Sequence, residues 1–219
     1  MYRRHSLRSL VSALCALLLV GAGACRAQSV FSVSLNTSFL IGNANGPFSL
    51  DFQFNDGSGT GDGNNTATLS NFNFGAGAAT GTATTTGGAS GALTSGIILK
   101  DSSFINELYQ SFTPGNMLTF DVSLTGNADA SQTPDEFSFA IFDGNLAEIP
   151  TTGAASAFLI ADITPPRISV QTFAGSGTYD AIAAPTITNA ASNVPEPALL
   201  PMLCAGLISG LLQFRPRKS

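Results

Sequence analysis

The densest group of side chains able to take part in chemistry lies at residues 55–65, in the order Asn-Asp-Gly-Ser-Gly-Thr-Gly-Asp-Gly-Asn-Asn. Carboxylate and amide oxygens are the ligands that calcium prefers, and the glycines give the backbone the freedom to fold around an ion. The pattern therefore indicates Asp56, Asp62 and Asn64 as candidate calcium ligands.

Two known calcium-loop patterns fit the same segment poorly. An EF-hand loop that starts at Asp56 places Ala67 where that motif requires a bidentate Glu. Residues 59–62 match only one copy of a repeat that binds calcium when it is stacked in series. The alternative is a Gly-Asp-Asn hairpin loop between a strand that ends at Phe54 and one that begins near Thr66. We therefore expect no cofactor, and calcium stays open as an alternative.

The only adjacent acidic pair in the sequence is Asp135-Glu136. Two carboxyl groups are enough for a glycoside hydrolase, but a solvated loop before a strand accounts for the same pair. Residues 28–194 contain neither Cys nor His, which excludes a thiol nucleophile, a Ser-His-Asp triad and a zinc site held by His or Cys. The sequence thus predicts a protein that is not an enzyme, with a carboxylate-only glycoside hydrolase as an alternative.

Charge is unevenly distributed along the chain. Seven of the nine basic residues lie in the first 26 or the last five positions. Residues 28–194 carry 13 acidic and two basic side chains, so this segment is strongly acidic and would repel phosphate backbones. We therefore expect no nucleic-acid partner.

Between the two ends, apolar and polar residues alternate in several short runs, which is the pattern of strands that bury one face. Gly, Asn, Asp and Pro separate these runs and supply turns. Residues 28–180 are therefore predicted to form an all-β ectodomain, an antiparallel β-sandwich with a jelly-roll-like arrangement. The alternating apolar positions are Phe48, Leu50, Phe52 and Phe54; Leu118, Phe120, Val122 and Leu124; Phe137, Phe139 and Ile141; and Ile168 and Val170.

Three segments depart from this alternation. In residues 101–112 the spacing of the apolar residues predicts a short helix or turn. Residues 75–96 are nearly all Gly, Ala, Thr and Ser, which fits either a mobile loop or a pair of small-residue strands. Residues 181–193 lack periodicity and are predicted to be a linker.

The first 27 residues have the three-part layout of a secretory signal peptide. A stretch with three arginines precedes an apolar run at residues 10–20, and small residues follow. Cleavage after Ala24 or after Ala27 fits the small-residue rule, and the second site leaves Gln28 as the first mature residue. The chain is therefore expected to be exported.

The last 26 residues also fall into three parts. A motif, an apolar run and a basic cluster follow one another, namely Val194, Pro195, Glu196 and Pro197; residues 198–214; and Arg215, Arg217 and Lys218. About 17 residues rising 1.5 Å each span roughly 25 Å, which is enough for a short transmembrane helix. The basic cluster is expected to stay cytoplasmic, which leaves the motif on the outer face of the inner membrane.

This order resembles the PEP-CTERM sorting signal of Gram-negative bacteria, and the resemblance covers residues 194–219. It implies that an exosortase recognises the Pro-Glu-Pro motif and that the inner membrane holds the chain only transiently. Residues 55–65, 69–74, 112–120 and 134–139 also resemble a recurring ectodomain type among PEP-CTERM proteins, for which no activity is implied. The resemblance links such proteins to exopolysaccharide and biofilm.

These features predict an exported structural protein of the cell surface or extracellular matrix, with an exosortase and exopolysaccharide as partners. The first alternative is a calcium-assisted carbohydrate-binding module, and the second is the glycoside hydrolase. Carbohydrate-binding modules pack sugar rings on exposed aromatic side chains. The chain has no Trp and three Tyr, and many of its 16 Phe occupy the alternating core positions, so few aromatic rings are expected to be free for this purpose.

Overall fold

The computed structural model describes residues 28–57, 59–127, 133–165 and 167–189. The regular elements of this part are β-strands, together with two single-turn 3-10 helices at Ser38–Leu40 and Gly177–Tyr179. The strands, in chain order, are β1 (Gln28–Asn36), β2 (Phe48–Asn55), β3 (Thr66–Asn73), β4 (Ala78–Ala79), β5 (Thr84–Thr86), β6 (Gly88–Ala92), β7 (Gly96–Lys100), β8 (Ile105–Thr113), β9 (Met117–Thr125), β10 (Asp135–Phe142), β11 (Leu159–Thr164), β12 (Arg167–Thr172) and β13 (Thr186–Asn189).

The strands form two antiparallel sheets. The six-stranded sheet has the order β13-β1-β9-β3-β7-β6. The seven-stranded sheet has the order β12-β11-β10-β2-β8-β4, and β5 is also paired with β8. Because β1, β2 and β3 belong alternately to the two sheets, the connections between them cross from one sheet to the other.

Both sheets bury one face in a shared hydrophobic core. The alternation of apolar residues in β2, β9 and β10 directs Phe52, Phe120 and Phe139 into this core. The centroids of these three rings lie 5.2–5.4 Å apart. Aromatic pairs at such distances contribute more stability than the burial of their apolar area alone. This cluster therefore stabilises the packing of the two sheets against each other.

The prediction of an all-β fold with antiparallel sheets is confirmed. Two sheets around one core are consistent with the predicted β-sandwich. The predicted apolar positions are fully buried in β2, β9 and β10, and Ile168 and Val170 of β12 are half-buried against the same core.

The prediction of a short helix or turn within residues 101–112 is wrong, because most of this segment belongs to strand β8. The inward positions of β8 are not uniformly apolar, because the polar residues Asn106 and Gln110 alternate there with apolar ones. The apolar–polar alternation that identifies a strand is therefore hidden in the sequence. Asn106 Nδ2 donates to the carbonyl oxygen of Phe54, and Gln110 Oε1 accepts from the backbone N–H of Leu93, both at 2.9 Å. Amides engaged in this way can be buried at little cost.

Residues 75–96 contain three short strands, more than the pair that the sequence allowed. β4 and β5 pair with β8, and β6 pairs with β7. The small residues are needed for this close packing, because a Cβ at Gly88 would collide with the carbonyl oxygen of Lys100 and with Oγ of Ser102.

The linker predicted at residues 181–193 is interrupted by β13. This strand pairs with β1, from Thr186 opposite Ser34 to Asn189 opposite Phe31. Ile187 is the residue of β13 that packs against the core, and one apolar residue gives no periodic signal. The domain predicted to end at residue 180 therefore continues to the end of β13.

The predicted signal peptide and the helix predicted at residues 198–214 lie outside the described residues. Within the described ranges, no helix has the length and apolar character needed to cross a membrane. β13 runs antiparallel to β1, so its last residue lies near the first residue of β1. Both ends of the described domain therefore leave it at the same end of the six-stranded sheet.

Candidate functional site

The segment with the candidate calcium ligands connects the two sheets and is not a hairpin loop. β2 ends at Asn55 in the seven-stranded sheet, and β3 begins at Thr66 in the six-stranded sheet. Gly57 permits the crossing, because a Cβ there would collide with the carbonyl oxygens of Thr133 and Pro134. The loop is therefore packed against the segment that leads into β10.

Asn65 is the centre of an amide–carboxylate cluster, which we define as Asp56, Asn65, Asp101 and Asp135. The backbone N–H of Asn65 donates to Asp101 Oδ2, and Asn65 Nδ2 donates to Asp135 Oδ2, both at 2.8 Å. Asn65 Oδ1 accepts from the backbone N–H of Asn127 at 2.8 Å. All four members of the cluster are at most 1% exposed. Asn65 thus ties together three loops at one end of the fold.

Asp56 shapes the glycine-rich loop through its carboxylate. Its Oδ1 accepts from the N–H of Gly59 at 3.2 Å, and its Oδ2 accepts from the N–H groups of Asp62, at 3.2 Å, and Gly61. The exposed Asp62 accepts from the backbone N–H and the Nδ2 of Asn64, at 3.1 and 3.0 Å. The candidate calcium ligands therefore lie in one loop, where N–H groups already engage the carboxylates of Asp56 and Asp62.

Asp101 is hydrogen-bonded to two other members of the cluster. Its Oδ2 accepts from the backbone N–H of Asn65, and its carboxyl group shares a hydrogen bond with the side chain of Asp135. Burial raises the pKa of Asp101 to about 6, the charges of Asp62 and Asp56 add to the rise, and the N–H of Asn65 opposes it. In the described part of the chain, no group of three or more Asp, Glu, His or Cys side chains is arranged to hold a metal ion. The hydrogen bonds made by Asn65 join the loops of the cluster.

The acidic pair Asp135-Glu136 begins strand β10 instead of preceding it. Successive side chains of a strand point to opposite faces, and the two carboxyl groups have different surroundings. Asp135 belongs to the amide–carboxylate cluster, where its Oδ1 accepts from the N–H of Gly57 at 2.9 Å. Glu136 lies on the outer face of the sheet, opposite Asn55 and Asp162 on the adjacent strands. A glycosidase needs both carboxyl groups at one glycosidic bond, which this pair does not provide.

A further set of carboxyl groups lies on the outer face of the seven-stranded sheet. Gln53 on β2 lies opposite Glu107 on β8. Its Nε2 donates to Asp51 Oδ2 at 2.9 Å and to Glu107 Oε1 at 3.4 Å. One amide thus links the carboxyl groups of two strands. We define the acidic face as Asp51, Gln53, Glu107, Tyr109, Phe142 and Glu148.

Asp51 is the buried centre of the acidic face. It is 1% exposed, and no donor among the described residues reaches its Oδ1. Burial, followed by the charge of Glu107 and then that of Glu148, raises the pKa of Asp51 to about 8, although the Gln53 amide opposes the rise. Asp51 is therefore a neutral carboxylic acid at about pH 7, and its proton bridges to Glu107.

Two aromatic rings extend over Asp51 on the outer side of the sheet. Tyr109 lies opposite Asp51 on β8, and Phe142 lies opposite Ser49 on β10. The ring centroids are 5.9 Å apart and the planes meet at 64°, which is an edge-to-face pair. Because β8 and β10 flank β2, rings this close reach across β2 and shield Asp51. Both side chains are half-buried, so part of each ring faces solvent.

The acidic face was missed in the sequence for one reason. Glu107 and Tyr109 occupy outward positions of β8, but residues 101–112 were predicted to form a short helix or turn. The sequence feature that could have indicated this face is the alternation in β2, where Asp51 and Gln53 alternate with buried phenylalanines. A polar face was predicted there, but its partner strand was not.

The predicted sorting motif and basic cluster lie outside the described residues, namely Val194, Pro195, Glu196 and Pro197, and Arg215, Arg217 and Lys218. Comparison with models of protein families gives no match, and neither do comparisons with curated proteins and with solved structures. The function is therefore inferred from the residues of this chain.

Proposed function

We propose that the chain is an exported structural protein of a Gram-negative bacterium. An exosortase sorts it through its PEP-CTERM tail, and it reaches the cell surface or extracellular matrix, where it associates with exopolysaccharide. The observation that carries this proposal is the order of the last 26 residues, in which Pro-Glu-Pro precedes an apolar run and a terminal basic cluster. The run is long enough to cross a bilayer, and the basic cluster fixes its orientation.

The domain that precedes the tail suits this role. Residues 28–189 contain no Cys, so the fold needs no disulfide and its stability does not depend on the redox conditions outside the cell. β13 ends at Asn189, and five residues separate it from Pro195. The sorting motif therefore follows closely on the last described strand.

The non-enzymatic part of the proposal is supported by the placement of the carboxyl groups. Asp135 and Glu136 lie on opposite faces of β10, and the carboxylates of Asp56 and Asp135 are engaged by N–H groups. Carboxylates that hold loops together in this way are structural. This leaves the tail as the part of the chain with the most specific chemistry.

The proposal is tested in a host that carries an exosortase, with a tag inserted just before Asn193. The wild-type chain is expected to shorten and leave the inner membrane. Glu196→Ala changes the tripeptide but keeps the anchor, so this variant should accumulate at full length in the inner membrane. Glu148→Ala removes an exposed acid from the domain and is the matched control, which should be processed like the wild type.

Replacement of Arg215, Arg217 and Lys218 by Ala is expected to give a different defect. A span of about 17 residues without cytoplasmic charges loses its main determinant of topology. The variant should then be translocated completely across the membrane and be found unprocessed in the periplasm. If the wild type keeps its full length, or if deletion of the exosortase changes neither size nor location, the sorting assignment is wrong.

A further inference from the structure

One end of the domain is the end at which the chain enters and leaves it. β1 begins at Gln28, and Asn189, the last residue of β13, lies opposite Phe31 of β1. The amide–carboxylate cluster lies at this end too, because Thr125, which is opposite Gln28, donates to Asn65. Under the proposed function, the segments before β1 and after β13 both lead to the inner membrane. We therefore call this end of the domain the membrane-proximal end.

The membrane-proximal end carries an exposed aromatic ring. Phe104 precedes β8 and is 60% exposed, which is the largest fraction among the exposed large apolar side chains of the described residues. Ile105, the first residue of β8, adjoins it and is 44% exposed. Ile105 lies opposite Asn55 at the end of β2, beside the glycine-rich loop. We define Phe104 and Ile105 as the apolar tip.

The backbone beneath the apolar tip is held in place by hydrogen bonds. The carbonyl oxygen of Phe104 accepts from the N–H of Asp56 at 3.1 Å. Asn106 Oδ1 accepts from the N–H of Ser103 at 3.1 Å, and Asn106 Nδ2 donates to the carbonyl oxygen of Ser103 at 2.7 Å. The residues on both sides of the tip are therefore fixed to the domain. The ring of Phe104 is held out towards solvent, where an apolar partner can reach it.

The length of chain beyond β13 limits the distance between this end of the domain and a bilayer. Eight residues lie between Asn189 and the apolar run that begins at Ala198, and a chain of this length spans at most roughly 30 Å. A tether this short gives an effective concentration in the millimolar range. A contact too weak to hold a free protein is therefore sufficient for an anchored one. Apolar side chains that reach the boundary between lipid headgroups and acyl chains supply such a contact, because they leave water.

Charge at the membrane-proximal end favours one class of lipid. Lys100 ends β7 and Arg167 begins β12; both are exposed, and they are the basic residues of the described ranges. Asp62 is exposed at the same end, and Glu136 and Asp162 are half-buried there. A zwitterionic headgroup matches this mixture of signs, because its phosphate and its ammonium group can each find an opposite charge. An anionic surface gains no advantage here.

We propose that the apolar tip docks the domain on the surface of a zwitterionic lipid bilayer while the tail anchors the chain, with the ring of Phe104 between the headgroups and the acyl chains. This inference rests on the proposed function, because the tether that makes so small a contact sufficient is the sorting tail. Docking then ends with processing. A chain that has lost its tail loses the effective concentration that kept the tip in the bilayer, and it leaves the membrane.

A single introduced Trp reports on the depth of the tip, because the chain has no Trp of its own. Phe104→Trp is compared with Phe39→Trp, the matched control, in which the replaced ring is 38% exposed and lies at the opposite end of the domain, in the 3-10 helix after β1. Each full chain is purified with its tail from the inner membrane of a host without an exosortase. It is then reconstituted into phosphatidylcholine vesicles with or without bromine on the acyl chains.

The fluorescence of Phe104→Trp should shift to shorter wavelength on reconstitution and be quenched by the brominated lipid, as expected for a ring about 5–10 Å below the headgroup surface. The fluorescence of Phe39→Trp should change little. Equal quenching of the two variants, or no quenching of Phe104→Trp, overturns the proposal. A shift of Phe104→Trp that grows with protein concentration but is not quenched indicates contact with a second copy, and it also overturns the lipid assignment.

A second substitution tests the other residue of the tip. Ile105→Ser, made in the Phe104→Trp chain, should lower the ratio of docked to undocked domain about threefold to tenfold, because part of this side chain is already buried in the domain. Ile41→Ser in the same chain is the control, since Ile41 is exposed at the opposite end. Equal quenching in the two serine variants excludes the tip as the contact.

Two further measurements separate the sources of binding. Replacement of part of the phosphatidylcholine by anionic phosphatidylglycerol should not increase the quenching of Phe104→Trp, and an increase contradicts the zwitterionic assignment. Flotation of the vesicles reports on the tail by itself. A chain that does not float with the vesicles lacks an inserted tail, which contradicts the anchoring assumed in the proposed function. A chain that floats while the Phe104→Trp ring stays in water keeps the anchor and overturns the docking alone.

Discussion

Asp51 and Glu107 accept hydrogen bonds from the same side-chain amide, and a proton held by Asp51 joins their carboxyl groups across two neighbouring strands. This pair lies in the middle of the seven-stranded sheet, where β2 and β8 meet. The proton is therefore a structural component of the sheet, and its loss introduces a buried negative charge beside Glu107 and Glu148.

The first prediction is that the domain loses stability as the pH rises above about 4. The pKa of Asp51 is about 8 in the folded state, above its ordinary value of 3.8. The native state thus keeps a proton that the unfolded state releases. Stability from this group is full below about pH 3.8 and falls towards pH 8, by at most about 1.4 kcal/mol per pH unit. Asp101, whose pKa is raised to about 6, acts in the same direction over a narrower range.

Urea unfolding of residues 28–193, followed by circular dichroism from about pH 5 to pH 8, measures this effect. Asp51→Asn replaces the acid by an amide that donates to Glu107 at every pH, so its stability should vary less with pH. Asp143→Asn is the control, because backbone N–H groups of Ala147 and Asn145 lower the pKa of Asp143 and its effect lies at more acidic pH. An Asp51→Asn profile as steep as that of the wild type excludes Asp51 as the source.

The second prediction concerns the centre of the amide–carboxylate cluster. Asn65→Ala removes the side chain that joins Asp135 to the segment of Asn127, and it leaves buried partners unsatisfied. We expect a loss of about 3 kcal/mol in the free energy of unfolding. Asn65→Asp should be worse at neutral pH than at about pH 4, because it adds a carboxylate beside two others.

Asn116→Ala is the control for this prediction, because Asn116 is exposed and should tolerate the change within about 0.5 kcal/mol. Chemical denaturation of the three variants at two pH values checks the order. Equal stability of Asn65→Ala and Asn116→Ala contradicts the assigned role.

The third prediction tests the corrected end of the domain. A chain ending at residue 180 lacks β13, so the edge of β1 loses its partner and Ile187 no longer packs on the core. Exposed strand edges pair with other chains. Residues 28–180 should therefore be less stable than residues 28–193 and should aggregate at lower concentration, as measured by thermal melting and light scattering. Identical melting and solubility of the two fragments support the original linker assignment.

The fourth prediction compares two glycines. Gly57→Ala introduces a Cβ against backbone carbonyl oxygens of Thr133 and Pro134, neither of which can turn aside. We expect a loss of about 3 kcal/mol. The Cβ of Gly42→Ala would meet no atom within 4 Å. This variant is therefore destabilised only by its φ of +70°, which costs about 1 kcal/mol for a residue with a side chain. Thermal melting of both variants gives the comparison, and a loss from Gly42→Ala equal to or larger than that from Gly57→Ala refutes the packing argument.

The sequence was informative where one face of a strand is uniformly apolar. β2, β9 and β10 were predicted because their inward residues are Phe, Leu, Val and Ile. β8 was missed because Asn106 and Gln110 occupy inward positions, and β13 was missed because it has one apolar residue facing the core. Sequence patterns report the chemistry of a single segment, whereas these elements depend on partners elsewhere.

The candidate sites show the same limit. The glycine-rich segment at residues 55–65 was recognised by its composition, but Asn65 acquires its role from Asp101 and Asp135, which lie 36 and 70 residues away. The acidic face needs Asp51 and Glu107 to be placed on adjacent strands, which no local pattern specifies. Side chains able to take part in chemistry can thus be identified in a sequence, but which of them lie together depends on the topology of the fold.

The pairing of β1 affects the time at which the domain folds. Gln28 and Ser123 are 95 residues apart in the chain, and Ser34 and Thr186 are 152 residues apart, yet both pairs are joined by hydrogen bonds. Contacts between such distant residues form slowly. The first strand to leave a secretion channel would therefore wait for β9, its first partner, and would gain its second partner, β13, only when nearly the whole domain had followed it. Under the proposed export, a chain with this topology would complete its six-stranded sheet only on the far side of the membrane, after β13 had followed.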